Sequence, residues 1–251
     1  ISKSNNISIN TKINKASINS KDIKKNDIFF AIKGKNKNGN LFTKEAFMKG
    51  ASLAVVNKVN KLENISKQIK VKDTLKFLTN TSSILRENYL SKIIAITGSC
   101  GKTSLKELIG RTLKKISNVT YSPKSFNNKF GVPLSLFNLN EKDDFGVFEI
   151  GMDKKGEIDY LSKIIKPDVG VITNISYAHA KNFKNIKQIA LAKSEIIHNI
   201  KDGGAIVLNA DDQFYDFHKK IALKKKLNIY TFSIKKQKSN IKLHSIKKEG
   251  I

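Results

Sequence analysis

Residues 98–104 read Gly-Ser-Cys-Gly-Lys-Thr-Ser, directly after the apolar run Lys92–Thr97 and directly before a helical pattern. Two residues without Cβ, a lysine and two hydroxyls packed this closely suit one chemistry, the holding of a phosphate. Gly98 and Gly101 let the backbone turn sharply and bring its N–H groups close to an anion. The helix start adds unpaired N–H donors and the positive end of a dipole. Lys102 can reach the β- and γ-phosphates of a nucleotide, and a hydroxyl of Thr103 or Ser104 can ligate Mg²⁺. The spacing is shorter than the general G-x-x-x-x-G-K-[ST] pattern, because the expected first glycine falls on Ile96. A glycine turn capped by Thr or Ser is the plain alternative. The strand before, the helix after and Lys-Thr-Ser in register favour phosphate.

A phosphate loop implies a nucleotide and leaves the reaction open. In a parallel sheet the remaining chemistry sits just past the carboxyl ends of the strands. "FGVFEIGM" ends an apolar run on Glu149, and "DVGVITNISYAHAKNF" ends another on Thr173 and Asn174, with His179 beyond. Alone, Glu149 reads equally as a solvated strand end and His179 as a surface histidine. On the same sheet edge as the loop they read as a magnesium and nucleotide site. A histidine there is unusual, since magnesium prefers oxygen ligands.

The elements that must position these residues follow from the hydrophobic pattern. Residues 1–84 read as a small mixed α/β unit: a strand at 27–34, a helix over 41–51 stopped by Gly50, and a buried strand at 52–56. A helix over 73–89 leads onward. From 85 to 251 apolar strands at 92–97, 145–150, 168–173, 205–209 and 228–232 alternate with helical patterns at 103–115, 157–165 and 186–200. Strands that are apolar on both faces, alternating with helices, predict a parallel sheet covered on both sides. The expected fold is an α/β P-loop domain with a smaller α/β domain in front.

Composition narrows the partners. Forty-seven Lys and Arg against 21 Asp and Glu give a net charge of +26, a balance that ordinarily suggests nucleic acid or an anionic membrane. Only Arg86 and Arg111 are arginines, whereas nucleic-acid readers favour Arg for bidentate contacts. The lysines are dispersed from end to end, so solvated faces are the better reading, and no nucleic-acid partner is expected. No apolar run approaches the ~20 residues that span a bilayer. No leader-like segment opens the chain, and the single Cys100 fits a reducing compartment. A cytoplasmic monomer without membrane insertion is expected. The start at Ile1 and the end at "KKEGI" read as a piece of a longer protein.

The segments "GSCGKTS", "SFNNKFGVPLSL", "FEIGM", "VITNISYAHAKNF", "ALAKSEII" and "LNADD", in that order, resemble the Mur ligases, the ATP-dependent amide-bond ligases of peptidoglycan assembly. "INSKDIKKNDIFFAIKGKNKNGNLFTKEAFMKGASLAVV" is similar to that family's uridine-binding domain. The resemblance implies ATP and Mg²⁺ as cofactors. "NNxxGVPLSL" implies the branch that joins D-alanyl-D-alanine to a UDP-N-acetylmuramoyl-tripeptide through an acyl phosphate, in cell wall synthesis. Carried over by position, Gly98, Ser99, Cys100, Gly101, Lys102, Thr103 and Ser104 bind the ATP phosphates, with Asn174 and Asn209 on the nucleotide side. Thr103 and Glu149 hold one magnesium, and His179 helps hold a second. Lys193 matches a lysine that several of these enzymes carry as a carbamate. Asn127 and Asn128 line the muramoyl-peptide side, and Ser20 and Lys21 the nucleotide-sugar side. The catalytic set is then Lys102, Glu149, His179 and Lys193.

Several positions depart from the family's pattern. Asn19, Ser20 and Lys21 replace Asp-Ser-Arg, and Asn38, Gly39 and Asn40 replace Asp-Gly-His, so a carboxylate and a guanidinium that serve the nucleotide-sugar are lost. Cys100 replaces an Asn and reads as a tolerated substitution rather than a nucleophile; Ser125 stands where an Asn is common. Nothing in 210–251 reads as the family's third domain, so the chain is expected to be inactive alone. Two rivals remain: a sister ligase adding a single amino acid, and a non-enzymatic P-loop protein binding nucleotide or nucleic acid. The nucleic-acid form of the second predicts tight binding with a steep salt dependence.

Overall fold

The computed structural model describes residues 11, 13–34, 36–61, 63–177, 182–235 and 239–243. The chain divides into two compact units, residues 1–85 with 136–138, and residues 86–135 with 139–251.

The first unit is built on four parallel strands in the order β1 (Ala16–Ser17), β2 (Ile28–Phe30), β3 (Leu53–Val56) and β4 (Gln68–Lys70). β2 and β3 are apolar without alternation because both faces are covered, and every residue in them is buried. Phe29, Ala54 and Val56 pack with Ala46 of α1 (Thr43–Met48). Phe30 meets Phe77 of α2 (Thr74–Asn88) and lies edge-on to Phe137, 5.3 Å between ring centroids. Asn138 closes the free edge of β1: its Oδ1 accepts from the Ala16 N–H at 2.6 Å and its Nδ2 donates to the Ala16 carbonyl at 3.0 Å.

The second unit holds seven parallel strands in the order β11-β10-β9-β8-β5-β7-β6. They are β5 (Lys92–Thr97), β6 (Val119–Tyr121), β7 (Phe145–Glu149), β8 (Val169–Ile172), β9 (Ala205–Asn209), β10 (Asn228–Ser233) and β11 (Ile241–Lys242). Helices α3 (Lys102–Leu113), α4 (Gly131–Phe137), α5 (Glu157–Ile165), α6 (Ile186–His198) and α7 (Tyr215–Lys224) join them. The chain leaves β5 toward β6, returns to β7, and then crosses β5 to run outward through β8, β9 and β10. That reversal makes the carboxyl end of β5 a topological switch point. The register sets Ile96 of β5 opposite Glu149 of β7 and Val171 of β8. The loop after β5 and the chain leaving β7 and β8 therefore start at one level.

The opposite end of this sheet is tied by Arg86, which is 2% exposed. Its Nε donates to the Ile165 carbonyl, one terminal nitrogen to Tyr89 and Ser91, and the other to Lys166 and to Asp168 Oδ2 at 2.8 Å. Asp168 Oδ2 also accepts from the Ile93 N–H, which joins β5 to the start of β8. α5 ends there at Lys166, in the left-handed region with φ 48°, and Pro167 comes next.

The strands expected at 92–97 and 205–209 and the helix expected at 157–165 have those bounds in the structure. β1, β4, β6, β11, α4 and α7 were not foreseen. In α4 the sequence signal is Pro133, which reads as a breaker. It occupies the first helical turn, where its missing N–H is not needed. α7 buries only His218 and Ala222, too sparse a stripe to read among its lysines.

Candidate nucleotide and metal site

The loop after β5 is folded tightly against the segment leaving β8. Gly98 has φ +142°, and a Cβ on it would lie 1.9 Å from Thr173 Oγ1. Gly101 has φ +79°, a left-handed conformation directly preceding α3, but a Cβ there would meet nothing within 4 Å. The first glycine is required by space and dihedral, the second by dihedral alone.

Residues 173–176 bracket the loop. Thr173 Oγ1 donates to the Cys100 carbonyl at 2.7 Å, and the Ser99 N–H to the Asn174 carbonyl at 2.9 Å. Asn174 Oδ1 accepts from the Cys100 N–H. The Ser176 N–H donates to Ser99 Oγ, which in turn donates to the Ser176 carbonyl. From β9, Asn209 Nδ2 reaches the Thr173 carbonyl at 3.4 Å, and Asp212 Oδ2 accepts from the Ile175 N–H at 2.7 Å. Asn174 and Asn209 thus hold the loop's shape through their side chains. Cys100 is exposed, its Sγ 3.9 Å from Ser176 Oγ.

Two lysines converge on one carbonyl. Lys102 Nζ donates to Gly98 at 2.9 Å and to Ser99 at 3.2 Å; Lys193 Nζ, from α6, donates to the same Gly98 oxygen at 2.8 Å. Lys193 is 3% exposed. Burial, reinforced by the neighbouring Lys102 cation, lowers its pKa from 10.5 to about 7. α6 is pinned near this point by Glu195, whose carboxylate accepts from the N–H groups of Gly156 and Asp159 at the start of α5.

Beside the loop lies a compact oxygen cluster. Thr103 Oγ1 donates to Glu149 Oε2 at 2.7 Å, and Asn127 Nδ2 to Glu149 Oε1 at 2.7 Å. Ser125 Oγ is 3.5 Å from Thr103 Oγ1. Glu149 is 1% exposed, so its carboxylate is a strand-end group turned inward. Asn128 lies one residue further on, but its Oδ1 accepts from the N–H groups of Phe130 and Gly131 and so caps α4. Ser104 follows Thr103 in the first turn of α3. His179 lies outside the described residues.

In the first unit Ser20 Oγ donates to Glu45 Oε2 at 2.6 Å, and Lys21 is exposed. Asn19 and Asn38 each cap a short 3-10 turn, accepting from the N–H groups of Lys21 and Asn40. The two Asp-to-Asn departures keep the side-chain oxygen that the cap uses.

Sequence reasoning missed Lys106. It is fully buried on α3, four residues after Lys102 and on the same stripe, and its ammonium meets the Ser122 carbonyl at 2.6 Å, the Lys124 carbonyl at 2.7 Å and Glu107 at 2.8 Å. The helical spacing Lys102, Lys106, Gly110 was the available signal; in a lysine-rich chain it carried little weight.

These residues suit a nucleotide phosphate and a magnesium ion. The turn after β5 leaves no room for a side chain at Gly98 and opens at Gly101 onto the amino end of α3. One carboxylate and one hydroxyl suit Mg²⁺, which completes its shell with water and substrate phosphates. Among the described residues no group of three or more His, Cys, Asp or Glu could hold a metal by itself. A groove of 610 Å³ opens at the other end of the sheet, beside Leu90, Ile116 and Phe145.

Comparison with known proteins gives the family. The family model described as the Mur ligase middle domain matches residues 96–250, and the chain belongs to the Mur ligase family. It is 37% identical over 229 residues to the UDP-N-acetylmuramoyl-tripeptide–D-alanyl-D-alanine ligase of Rickettsia prowazekii, covering 90% of this chain and 50% of that protein. A crystal structure of MurF from Acinetobacter baumannii superposes with a TM-score of 0.80 at 30% identity, covering 94% of this chain and 50% of that one. MurF from Thermotoga maritima, solved in complex with ADP, gives a TM-score of 0.73 at 29% identity, covering 89% and 50%. The chain spans about half the length of the curated relatives it matches.

Proposed function

We propose that this chain supplies the nucleotide-sugar-binding and ATP-binding parts of a ligase that joins D-alanyl-D-alanine to UDP-N-acetylmuramoyl-tripeptide. The observation that carries the reading is the Thr103–Glu149–Asn127 cluster beside the Gly98–Ser104 loop. A buried carboxylate and a hydroxyl beside such a loop are oxygen donors that suit a magnesium-bound polyphosphate. In this reading residues 1–84 bind the nucleotide-sugar, with Ser20 and Lys21 facing it, and residues 85–251 bind ATP.

A carboxylate is a poor electrophile. In the proposed reaction the tripeptide carboxylate takes the γ-phosphoryl group, the bond to the β–γ bridging oxygen breaks, and ADP leaves. The dipeptide amine then attacks the acyl carbon, phosphate departs, and the new amide nitrogen loses a proton. No protein nucleophile is required, so the chain's part is positioning and charge. The loop N–H groups and the start of α3 hold the phosphates. Lys102, which donates to Gly98 and Ser99, is placed to turn its remaining donor capacity to the γ-phosphate. Mg²⁺ held by Thr103 and Glu149 would supply neutralisation of the phosphate charge. Asn127 fixes the Glu149 carboxylate, and Asn174 and Asn209 fix the loop. His179 is assigned by resemblance to the acceptor side.

Lys193 is read as the carbamate-forming lysine. Its amine is neutral in a large fraction of molecules near pH 7. The neutral form adds CO₂ with loss of a proton and becomes a carboxylate. Incubation with ¹³C-labelled bicarbonate should give a carbamate carbon signal that Lys193→Met removes.

Lys102→Ala is the decisive variant. It should abolish phosphate release by the whole gene product and leave thermal unfolding close to wild type. Retained turnover removes the phosphate-loop assignment. A substrate panel should require both UDP-muramoyl-tripeptide and D-alanyl-D-alanine; equal turnover with a single amino acid moves the chain to a sister branch.

A further inference from the structure

The same helix that begins at the phosphate loop also holds the facing loop in place. Lys106, with 0% side-chain exposure, directs its three N–H donors at three acceptors, the carbonyls of Ser122 and Lys124 and the Glu107 carboxylate. Burying an ammonium this completely costs least where every donor is matched. The two carbonyls flank Pro123, and Lys124 sits at φ +49°, in the left-handed region that side chains rarely adopt. A strained backbone persists where its surroundings over-determine it, and here Lys106 is one of those surroundings.

Beyond Lys124 the chain forms the facing half of the candidate site. Ser125 stands 3.5 Å from Thr103 Oγ1, and Asn127 donates to Glu149 Oε1. Ser122 itself accepts from the Glu149 N–H through its Oγ at 3.3 Å. Tyr121, at the end of β6, lies against α3 where a Cβ on Gly110 would meet its ring at 2.6 Å, and Lys106 Nζ is 6.0 Å from that ring's centre. Helix α3 therefore carries Lys102 and Thr103 on its first turn and, one turn later, the cation that fixes the turn delivering Ser125 and Asn127.

We propose that Lys106 is a positioning residue: its ammonium, bound to the Ser122 and Lys124 carbonyls, sets the 122–127 turn so that Asn127 orients Glu149 toward a nucleotide-bound Mg²⁺. The proposal rests on the reading of Thr103 and Glu149 as the magnesium side of a nucleotide site. It adds a residue that touches neither nucleotide nor metal and acts through Asn127.

The test is calorimetric titration of the chain with ADP, with and without Mg²⁺, for wild type, Lys106→Met, Asn127→Ala and the double variant. Lys106→Met should leave metal-free ADP affinity unchanged and lose the strengthening by Mg²⁺ by about tenfold, the scale of lost support behind a metal ligand. Asn127→Ala should cost a similar factor, and the double variant no more than either alone, because the two act in series. Backbone amides of Phe126 and Asn127 should exchange hydrogen faster in Lys106→Met with no nucleotide present. Full Mg²⁺ strengthening in Lys106→Met, an equal loss with and without Mg²⁺, or additive effects in the double variant each overturn the proposal. Absence of ADP binding by the wild-type chain overturns the reading of the site and this role with it. Should the methionine variant fail to fold, Lys106→Gln, which keeps two N–H donors, is read by the same criteria.

Discussion

The two ends of the large sheet handle buried cations in opposite ways. At the amino ends of the strands every one of the five N–H donors of Arg86 has an acceptor: four carbonyls and Asp168. At the carboxyl ends Lys102 and Lys193 both lean on the Gly98 carbonyl. A cation with all its donors matched is a fixture of the fold. Two amines sharing one carbonyl leave donor capacity uncommitted beside the loop. Lys106 belongs with Arg86 by this criterion although it lies one turn from Lys102, which is why it reads as support for the site rather than as part of it.

The sharpest way to break the comparison is at its structural end. Arg86→Met should cost about 3–5 kcal/mol, the range for stripping one partner from a buried charge pair. It takes the buried guanidinium from Asp168, which keeps Lys92, Lys201 and the Ile93 N–H, and it leaves carbonyls from two segments, 89–91 and 165–166, without that donor. Urea unfolding followed by circular dichroism measures the loss, and ADP affinity at a temperature where the variant is folded should equal wild type. A stability change under ~1 kcal/mol, the level of a surface ion pair, would make Arg86 an ornament of that end.

The functional end predicts the reverse sign. The folded chain keeps Lys193 near pKa 7, while the unfolded chain has the ordinary 10.5. Above 10.5 neither state carries the proton. As pH falls from 10.5 toward 7 the unfolded state gains a proton that the fold refuses, so stability declines across that window and levels off below it. At about 1.4 kcal/mol per pKa unit the penalty at neutral pH reaches about 4 kcal/mol. Lys193→Met should therefore be more stable than wild type at pH 7, by less than that figure because a hydrogen bond to Gly98 goes with the amine. Its stability should follow pH between 7 and 10 far less steeply than wild type does, Lys201 with its lowered pKa still contributing. A variant that tracks pH as wild type does would show that Lys193 is not the group refusing the proton.

How much of this was legible beforehand differs by element. β5, β9 and α5 were readable to the residue because they are long, apolar and bounded by glycine, proline or charge. β1 and β11, of two residues each, have no period to read. The loop glycines, Lys102, Thr103 and Glu149 could be chosen from type and spacing, since a phosphate site has a local signature. Asn127 could be named, but its bond to Glu149 is a tertiary fact joining residues 22 apart. Lys106 was invisible among 47 basic residues, because only the fold shows which lysine is buried. The asparagines at 19 and 38 read as lost charge, whereas the structure gives their oxygens a capping role that either residue type could fill.

The smallest expected effect separates the two loop glycines. Gly101→Ala places a methyl in open space at φ +79°, so only the left-handed conformation is penalised, about 1–2 kcal/mol. Gly98→Ala carries the dihedral cost at φ +142° and also drives a methyl to 1.9 Å from Thr173 Oγ1. To escape, Thr173 must release the Cys100 carbonyl, which loosens the bracket that Asn174 and Ser176 complete. Differential scanning calorimetry should rank Gly98→Ala below Gly101→Ala, and ADP affinity should fall further for Gly98→Ala than stability alone accounts for. Equal losses in both measures would mean that the 173–176 segment merely lies beside the loop and does not shape it.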